Sequence, residues 1–300
     1  MSFYEELVIE TQRRNYSRYY SVYARGGTPF QLTEKPSLPY DEQIAAFARE
    51  VASADAILVG GASGLSASGG GDFYYADTAS FRAHFGKFAE KYHFVGAFNG
   101  MRAPYKDLDA ILAGKDFHIL TTNQDTQFVK LYPESKVSEI QGDHRFFQCS
   151  RCCTDETWDA VVPVREMIAS MGEGTEIDPD LIPRCPHCGA EAFPWVRGYG
   201  NFLEGSKYEA EYQKTSDYIE AHADERLLFI ELGVGRLTPM FIQEPFWQLT
   251  ANLPQARYIS VNDKYDFLPQ GIEDKGMSIV GDIAAVLSDV RAEVEGGARR

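Results

Sequence analysis

The sequence predicts an α/β protein: a doubly wound parallel sheet with a smaller inserted zinc-binding lobe. Three observations predict it. Short apolar runs of strand length alternate with amphipathic helical patterns, a glycine-rich turn follows the first such run, and two Cys-x-x-Cys pairs interrupt the alternation in mid-chain.

The 300 residues carry 29 Lys+Arg against 44 Asp+Glu, a formal net charge of −15, with 44% apolar and 24% charged residues. That is the composition of a folded chain long enough to bury a sizeable core, and it excludes a disordered, collagen-like or disulfide-scaffold protein. The apolar runs are strand-sized, far short of the ~20 residues a membrane helix needs. Phosphate contacts need a basic surface, so the acidic balance argues against a nucleic-acid partner. The first residues lack an apolar stretch and carry Glu5, Glu6 and Glu10, so a cytoplasmic protein without a targeting peptide is expected.

Residues 1–39 read as an N-terminal extension, open to being either a lid or a packing arm. Residues 41–53 form a helical pattern in which Asp41 can cap and Ile44, Phe47, Ala48 and Val51 share one face. Ala56–Val59 is a fully buried strand, and the turn Gly60–Gly71 follows at once. Phe81, Phe85, Phe88 and Tyr92 repeat on one face of a further helix, within a helical insertion near 75–115. Strands are expected at Phe117–Leu120, Leu227–Leu232, Tyr258–Val261 and Ser278–Val280. A last helix carries Ile283, Val286, Leu287, Val290 and Val294 on its apolar side. The main domain is thus discontinuous, 40–144 and 201–300, with the small lobe at 145–200.

The five cysteines set the lobe's chemistry. Cys149-x-x-Cys152 and Cys185-x-x-Cys188 are two knuckles, each able to aim two thiolates at one ion, with residues 153–184 between them. Four thiolates leave no open position for water, so the expected Zn²⁺ is structural. An odd cysteine count argues against disulfides. His187 lies inside a knuckle, but Cys188 fits the spacing better, and Cys153 is left as a small buried residue.

The glycine loop after the first strand suits a phosphate group, because backbone N–H groups approach a pyrophosphate only where no Cβ intervenes. Taken alone, such a loop is equally compatible with a plain turn.

Several segments together resemble the sirtuins, NAD-dependent enzymes with a Rossmann-like domain and a small zinc lobe. Their GAG-x-S-x-x-S-G-I-P-D-F-R loop is matched by Gly61–Tyr74, with Ser68, Gly69, Asp72 and Phe73. Their T-Q-N-I-D segment is matched by Thr121-Thr122-Asn123-Gln124-Asp125, and their H-G dipeptide before the first cysteine pair by Gln141-Gly142. Farther on, G-T-S is matched by Gly233-Val234-Gly235, the adenosine-binding Asn by Asn262, and the late adenine loop by Gly281-Asp282-Ile283. The likeness covers roughly residues 40–295.

The resemblance implies that NAD is the co-substrate and Zn²⁺ a structural ion. It implies that Gly61, Ala62 and Ser63 line the pyrophosphate. Gly233, Val234, Gly235, Asn262, Asp263, Asp282 and Ile283 would hold the adenosine half. Asp72, Phe73, Thr122 and Gln124 complete the implied cofactor set; for Asp72 a loop-capping role stays open. Asp125 would grip the nicotinamide carboxamide. Asn123 and Gln141 would be the catalytic pair, beside the nicotinamide ribose.

The departures from the family pattern decide the expected chemistry. Deacylating sirtuins use a histidine as general base, a role suited to an imidazole with a pKa near ~6.5. Gln141 offers an amide, which orients groups by hydrogen bonds but does not take a proton at neutral pH. Tyr74 stands where the loop arginine usually stands, Val234 replaces a hydroxyl residue, and the acyl-peptide strand motif is not clear within Val196–Gly205. This pattern is similar to the class M, macrodomain-linked sirtuins of microbes. That branch implies mono-ADP-ribosylation of a protein, with a lipoylated carrier such as a glycine-cleavage H-like protein as acceptor and a macrodomain ADP-ribosyl hydrolase as partner. Deacylation, NAD glycohydrolysis and a non-catalytic NAD or ADP-ribose sensor are the competing readings.

Overall fold

The computed structural model describes residues 1–33, 38–71, 101–171, 177–198 and 201–297. The helix expected around Phe81–Tyr92, together with Asp72, Phe73 and Tyr74, lies outside these residues.

Helices α1 (Phe3–Thr11), α2 (Ser17–Tyr23) and α3 (Tyr40–Ser53) precede the first strand. Strand β1 (Ala56–Gly61) runs into the one-turn helix α4 (Ser63–Ser66). Next come α5 (Ala103–Ile111), β2 (Asp116–Thr121), α6 (Gln127–Leu131) and β3 (Val137–Glu139). The small lobe follows with β4 (Gly142–Cys149), β5 (Trp158–Asp159), α7 (Val161–Met171) and β6 (Ala192–Val196). The chain then returns through α8 (Ser206–Ala221), β7 (Leu227–Leu232), α9 (Gln243–Asn252), β8 (Arg257–Asn262), β9 (Gly276–Val280) and α10 (Ile283–Gly297).

The main sheet has the order β3-β2-β1-β7-β8-β9, and its strand pairs are all parallel. The order reverses between β1 and β7, and the crevice at such a switch point is where doubly wound sheets bind ligands. A second sheet, β5-β4-β6, is antiparallel and belongs to the lobe. β4 begins at Gly142, three residues before the expected start of the lobe.

Strand pleat divides the core. Ile57 and Val59 of β1, with Leu228, Ile230 and Leu232 of β7, face a layer containing Phe47, Leu108 and Val290 from α3, α5 and α10. Ala56, Leu58, Leu227 and Phe229 face the opposite layer, which holds Tyr4, Tyr212 and Phe246 from α1, α8 and α9. Both faces being covered explains why these strands read as continuous apolar runs.

Two expectations need correction. Pro39, not Asp41, is the N-cap of α3; Asp41 sits in the first turn, where its charge still favours the positive end of the helix. Gly60 and Gly61 belong to β1 rather than to the turn after it.

The N-terminal segment is a packing arm. Tyr4 is fully buried; its backbone N–H donates to Ser216 Oγ at 2.9 Å and its hydroxyl to the Phe241 carbonyl at 2.9 Å. Tyr23 is buried too and donates to Glu244 Oε1 at 2.6 Å. Beyond α2, Thr33 N donates to Leu268 O and Gln270 N to Gln31 O, both at 2.8 Å. Beside Glu244 lies a second buried carboxylate, Glu231, which accepts from Tyr258 and, at 2.8 Å, from Gln243 Nε2. Arg236 donates to the Gln243 side chain and, at 3.1 Å, to the Gly27 carbonyl, joining the arm to this network.

Candidate functional site

At the carboxyl ends of β1, β7 and β8 lies a cavity of about 340 Å³, lined by Ser63, Gly64, Ala67, Gly233, Val234, Gly235, Asn262 and the run Asp263–Tyr265. Its floor depends on two glycines. Gly233 has φ +72, and a Cβ there would lie 2.6 Å from Gly64 Cα. A Cβ on Gly64 would in turn lie 2.7 Å from Gly233 Cα. The two backbones therefore touch, tied by Gly64 N donating to Gly233 O at 3.0 Å, and present main chain rather than side chains to the cavity. Asn262 braces the far wall: its Nδ2 donates to Val234 O at 3.0 Å while its Oδ1 accepts from Lys264 N and Tyr265 N.

Around the corner, the loop after β2 carries Asn123 and Asp125, both buried. Asn123 Nδ2 donates to Ala62 O at 2.9 Å and to the Tyr105 hydroxyl at 3.2 Å. Asn123 Oδ1 has no hydrogen-bond partner among the described residues. Asp125 Oδ2 accepts from Ser66, from Tyr105 at 3.0 Å and from Arg102 at 3.0 Å. Its Oδ1 accepts from Gln127 N at 3.3 Å. Both carboxylate oxygens are thus engaged by the chain's own donors.

Gln141 sits at the point where the chain leaves the main sheet for the lobe. It is buried, and its Nε2 has no hydrogen-bond partner among the described residues. Gln124 Nε2 donates to the Gln141 carbonyl at 2.9 Å and to the Arg197 carbonyl at 3.1 Å, which binds the Asn123 loop to both strands entering the lobe. Gly142 is required next: its φ is +94, and a Cβ would meet the Trp195 carbonyl at 2.0 Å. An orphaned acceptor on Asn123 and an orphaned donor on Gln141 are costly to bury unless a ligand completes them. A ribose, whose hydroxyls donate and accept, has the chemistry to do so, and the side-chain-free cradle at Gly64 and Gly233 suits a pyrophosphate. The residues present fit a dinucleotide.

The lobe's thiols cluster, but not as the spacing suggested. Cys149, Cys153, Cys185 and Cys188 bring their sulfur atoms within 4.8 Å of one another. Cys149 Sγ lies 3.6 Å from Cys188 Sγ, and Cys153 Sγ 3.6 Å from Cys185 Sγ. Four sulfurs at ~2.3 Å from a tetrahedral zinc are ~3.8 Å apart, so the set fits the ion. The cluster takes in Cys153 rather than its neighbour Cys152, the residue expected as a ligand. The backbone turns through a left-handed residue at Cys152 (φ 46), and its thiol points instead to the Asn201 carbonyl, 3.6 Å away. The first knuckle is therefore Cys-x-x-x-Cys.

Of the cofactor residues expected from sequence, the cavity gathers Ser63, Gly233, Val234, Gly235, Asn262 and Asp263. Gly61 ends β1 and Ala62 caps the one-turn helix that follows, and Thr122 N donates to the Gly61 carbonyl at 3.1 Å. Asp282 and Ile283 do not line it. Asp282 Oδ1 caps the final helix by accepting from Ala285 N, and the Ile283 side chain lies in the core. Asp72 and Phe73 lie outside the described residues. Sequence reading missed Gly64, Ala67, Lys264 and Tyr265 on the cavity wall, and Ser66, Arg102 and Tyr105 around Asp125. The flanking glycines and Asn262 signalled the first group by adjacency; nothing local signalled the second.

Comparison with known proteins bears on both fold and site. No family model matches the chain. A solved Sir2 enzyme superposes with a TM-score of 0.54 at 19% identity, covering 86% of this chain and 100% of that one. A Sir2 enzyme bound to a myristoylated histone peptide gives 0.52 at 19% identity, covering 86% and 99%. A protein ADP-ribosyltransferase of Staphylococcus aureus is 29% identical over 264 residues, 78% of this chain and 82% of that protein. A probable bifunctional ADP-ribose hydrolase/ADP-ribosyltransferase of Fusarium oxysporum is 27% identical across 94% of this chain and 53% of its own length.

Sheet order, inserted lobe and cleft thus define a chain of the sirtuin fold. In sequence, the chain is similar to the Staphylococcus aureus protein ADP-ribosyltransferase over 78% of its length. No helix among the described residues is long and apolar enough to cross a membrane.

Proposed function

We propose that the chain is an NAD-dependent protein mono-ADP-ribosyltransferase, which moves ADP-ribose from NAD to a protein acceptor and releases nicotinamide. The observation that carries this reading is Gln141: a buried amide with an unpartnered Nε2, tied through its carbonyl to Gln124 beside Asn123 in the chain, stands at the position that matches the histidine base of deacylating sirtuins. The transferase named among the relatives supports the same chemistry.

NAD supplies the ADP-ribosyl group, and its nicotinamide departs as a neutral molecule, so positioning and electrostatics do most of the catalytic work. The backbone at Gly61–Gly64 and Gly233–Gly235 holds the pyrophosphate and adenosine portions. Asn123 Oδ1 accepts from a hydroxyl of the nicotinamide ribose or from the attacking group. Gln141 Nε2 donates to a ribose oxygen or to the acceptor and orients it without removing its proton. The zinc lobe keeps the Gln141 strand in place and takes no part in the reaction.

The acceptor is a lipoylated carrier protein of the glycine-cleavage H type, and a macrodomain hydrolase reverses the modification. The first rests on the resemblance to class M sirtuins. The second is supported by the Fusarium relative, whose name joins a hydrolase to a transferase.

The test is mass spectrometry after incubation with NAD of lipoylated carrier, unlipoylated carrier and an acetylated peptide, with Asn123→Ala as control. An adduct of ADP-ribose on the lipoylated carrier, lost in the control, is expected. Loss of acetyl without any adduct would make the chain a deacylase. Nicotinamide release with neither product would make it a glycohydrolase.

A further inference from the structure

We propose that Tyr105 is a positioning residue that locks the carboxamide of Asn123 in the one orientation that presents Oδ1 to the ligand. The proposal rests on the reading of Asn123 given above.

Tyr105 lies on α5, remote in sequence from the recognised motifs, with its ring fully buried and edge-on to Phe128 at 4.9 Å between centroids. Among the described residues its hydroxyl meets Asp125 Oδ2 at 3.0 Å, Ser66 Oγ at 3.0 Å and Asn123 Nδ2 at 3.2 Å. A phenol has one proton. The carboxylate only accepts, so that proton goes to Asp125. The oxygen is then left to accept from Asn123. The order is fixed: Asn123 N–H to Tyr105 oxygen, Tyr105 O–H to Asp125.

This order settles the amide. One Nδ2 hydrogen is held by the Ala62 carbonyl and the other by Tyr105. The reversed amide would set Oδ1 against the Ala62 carbonyl, two acceptors face to face. Both donors are therefore directed inward, and the acceptor is left for the ligand. Asp125 gains a second role as the anchor of the chain, and Arg102, 3.0 Å from Oδ2, balances its charge.

Without the hydroxyl, one Nδ2 hydrogen loses its partner and the amide is held by the Ala62 carbonyl alone. Tyr105→Phe should then lower kcat for nicotinamide release about tenfold, the size of one lost orienting hydrogen bond. KM for NAD should change less than about threefold, because the cradle is untouched.

The second readout is the Asn123 side-chain amide resonance pair in protein labelled with ¹⁵N-asparagine, assigned by its loss in Asn123→Ala. It should move and exchange faster with solvent in Tyr105→Phe. Should that variant not fold, difluorotyrosine at position 105, which keeps the ring and weakens the oxygen as an acceptor, should move the same resonances. Unchanged kcat, or reduced kcat with the amide pair unmoved, would overturn the proposal. Wild-type protein that releases no nicotinamide would refute the functional reading, while the amide signature would still report on the lock.

Discussion

Gln124 and Gln141 are joined by one hydrogen bond, Nε2 to main-chain oxygen at 2.9 Å, and that bond spans the boundary between the main sheet and the small lobe. The same Nε2 holds the Arg197 carbonyl on the returning strand. One side chain therefore ties the loop carrying Asn123 to both ends of the lobe. Gln124→Ala should remove a donor from two part-buried carbonyls, of which Gln141 O keeps the Arg197 N–H at 2.9 Å, at a cost of about 1 kcal/mol in stability. Nicotinamide release should fall at least tenfold with zinc content unchanged; thermal melting, turnover and metal analysis on the same preparation check this.

The cysteine assignment gives a paired prediction. Cys153→Ser should lower zinc content well below one equivalent and lower the melting temperature. Cys152→Ser should retain a full equivalent, because its thiol contacts Asn201 rather than the cluster. Elemental analysis of the two purified variants decides between the ligand sets, and the opposite result would restore the Cys-x-x-Cys reading.

Gly233→Ala should weaken dinucleotide binding. The left-handed φ costs an ordinary residue about 1–2 kcal/mol, and the added methyl would collide with Gly64 Cα at 2.6 Å. Calorimetric titration with NAD should show a Kd at least tenfold weaker. Gly235→Ala, where a Cβ meets nothing within 4 Å, should bind within a few fold of the wild type unless the ligand itself fills that space.

Stability should depend on pH through Glu231. Burial pushes its carboxyl up to about 7, although hydrogen bonds from Tyr258 and Gln243 and the charge of Arg236 pull the other way. The folded state then holds a proton that the unfolded chain releases near pH ~4.3. The stabilising contribution is complete below that value and is lost as pH rises through about 7. Denaturant melts at pH 5 and pH 8 should show a fall in stability that Glu231→Gln reduces. An unaltered slope in the variant would exclude Glu231 as the source.

Much of the main sheet was legible because its strands are covered on both faces: Ala56–Val59 is a continuous apolar run, and Leu227–Leu232 is apolar but for the buried Glu231. β3 was not, since three residues at an edge carry no period. The Asn123 and Gln141 positions could be read by resemblance, because loops that meet a ligand keep their order along the chain. Tyr105 and Arg102 could not, since their importance comes only from folding α5 against the loop after β2. The Cys152 error has a local cause. Two adjacent cysteines offer the same spacing to within one residue, and the choice is made by the left-handed backbone at position 152, which no pattern of residue types displays.

The lobe leaves and rejoins the main body at a single paired position, Gly142 opposite Val196. Its entrance and exit are hydrogen-bonded neighbours, so the chain crosses between lobe and sheet at one place, while Arg145 reaches back to Glu134 and Glu139 and Asp155 accepts from Ser206 N. The lobe is in this sense a cassette. Changes of length within it can be absorbed without moving that doorway, provided that position 142 stays a glycine facing the Trp195 carbonyl.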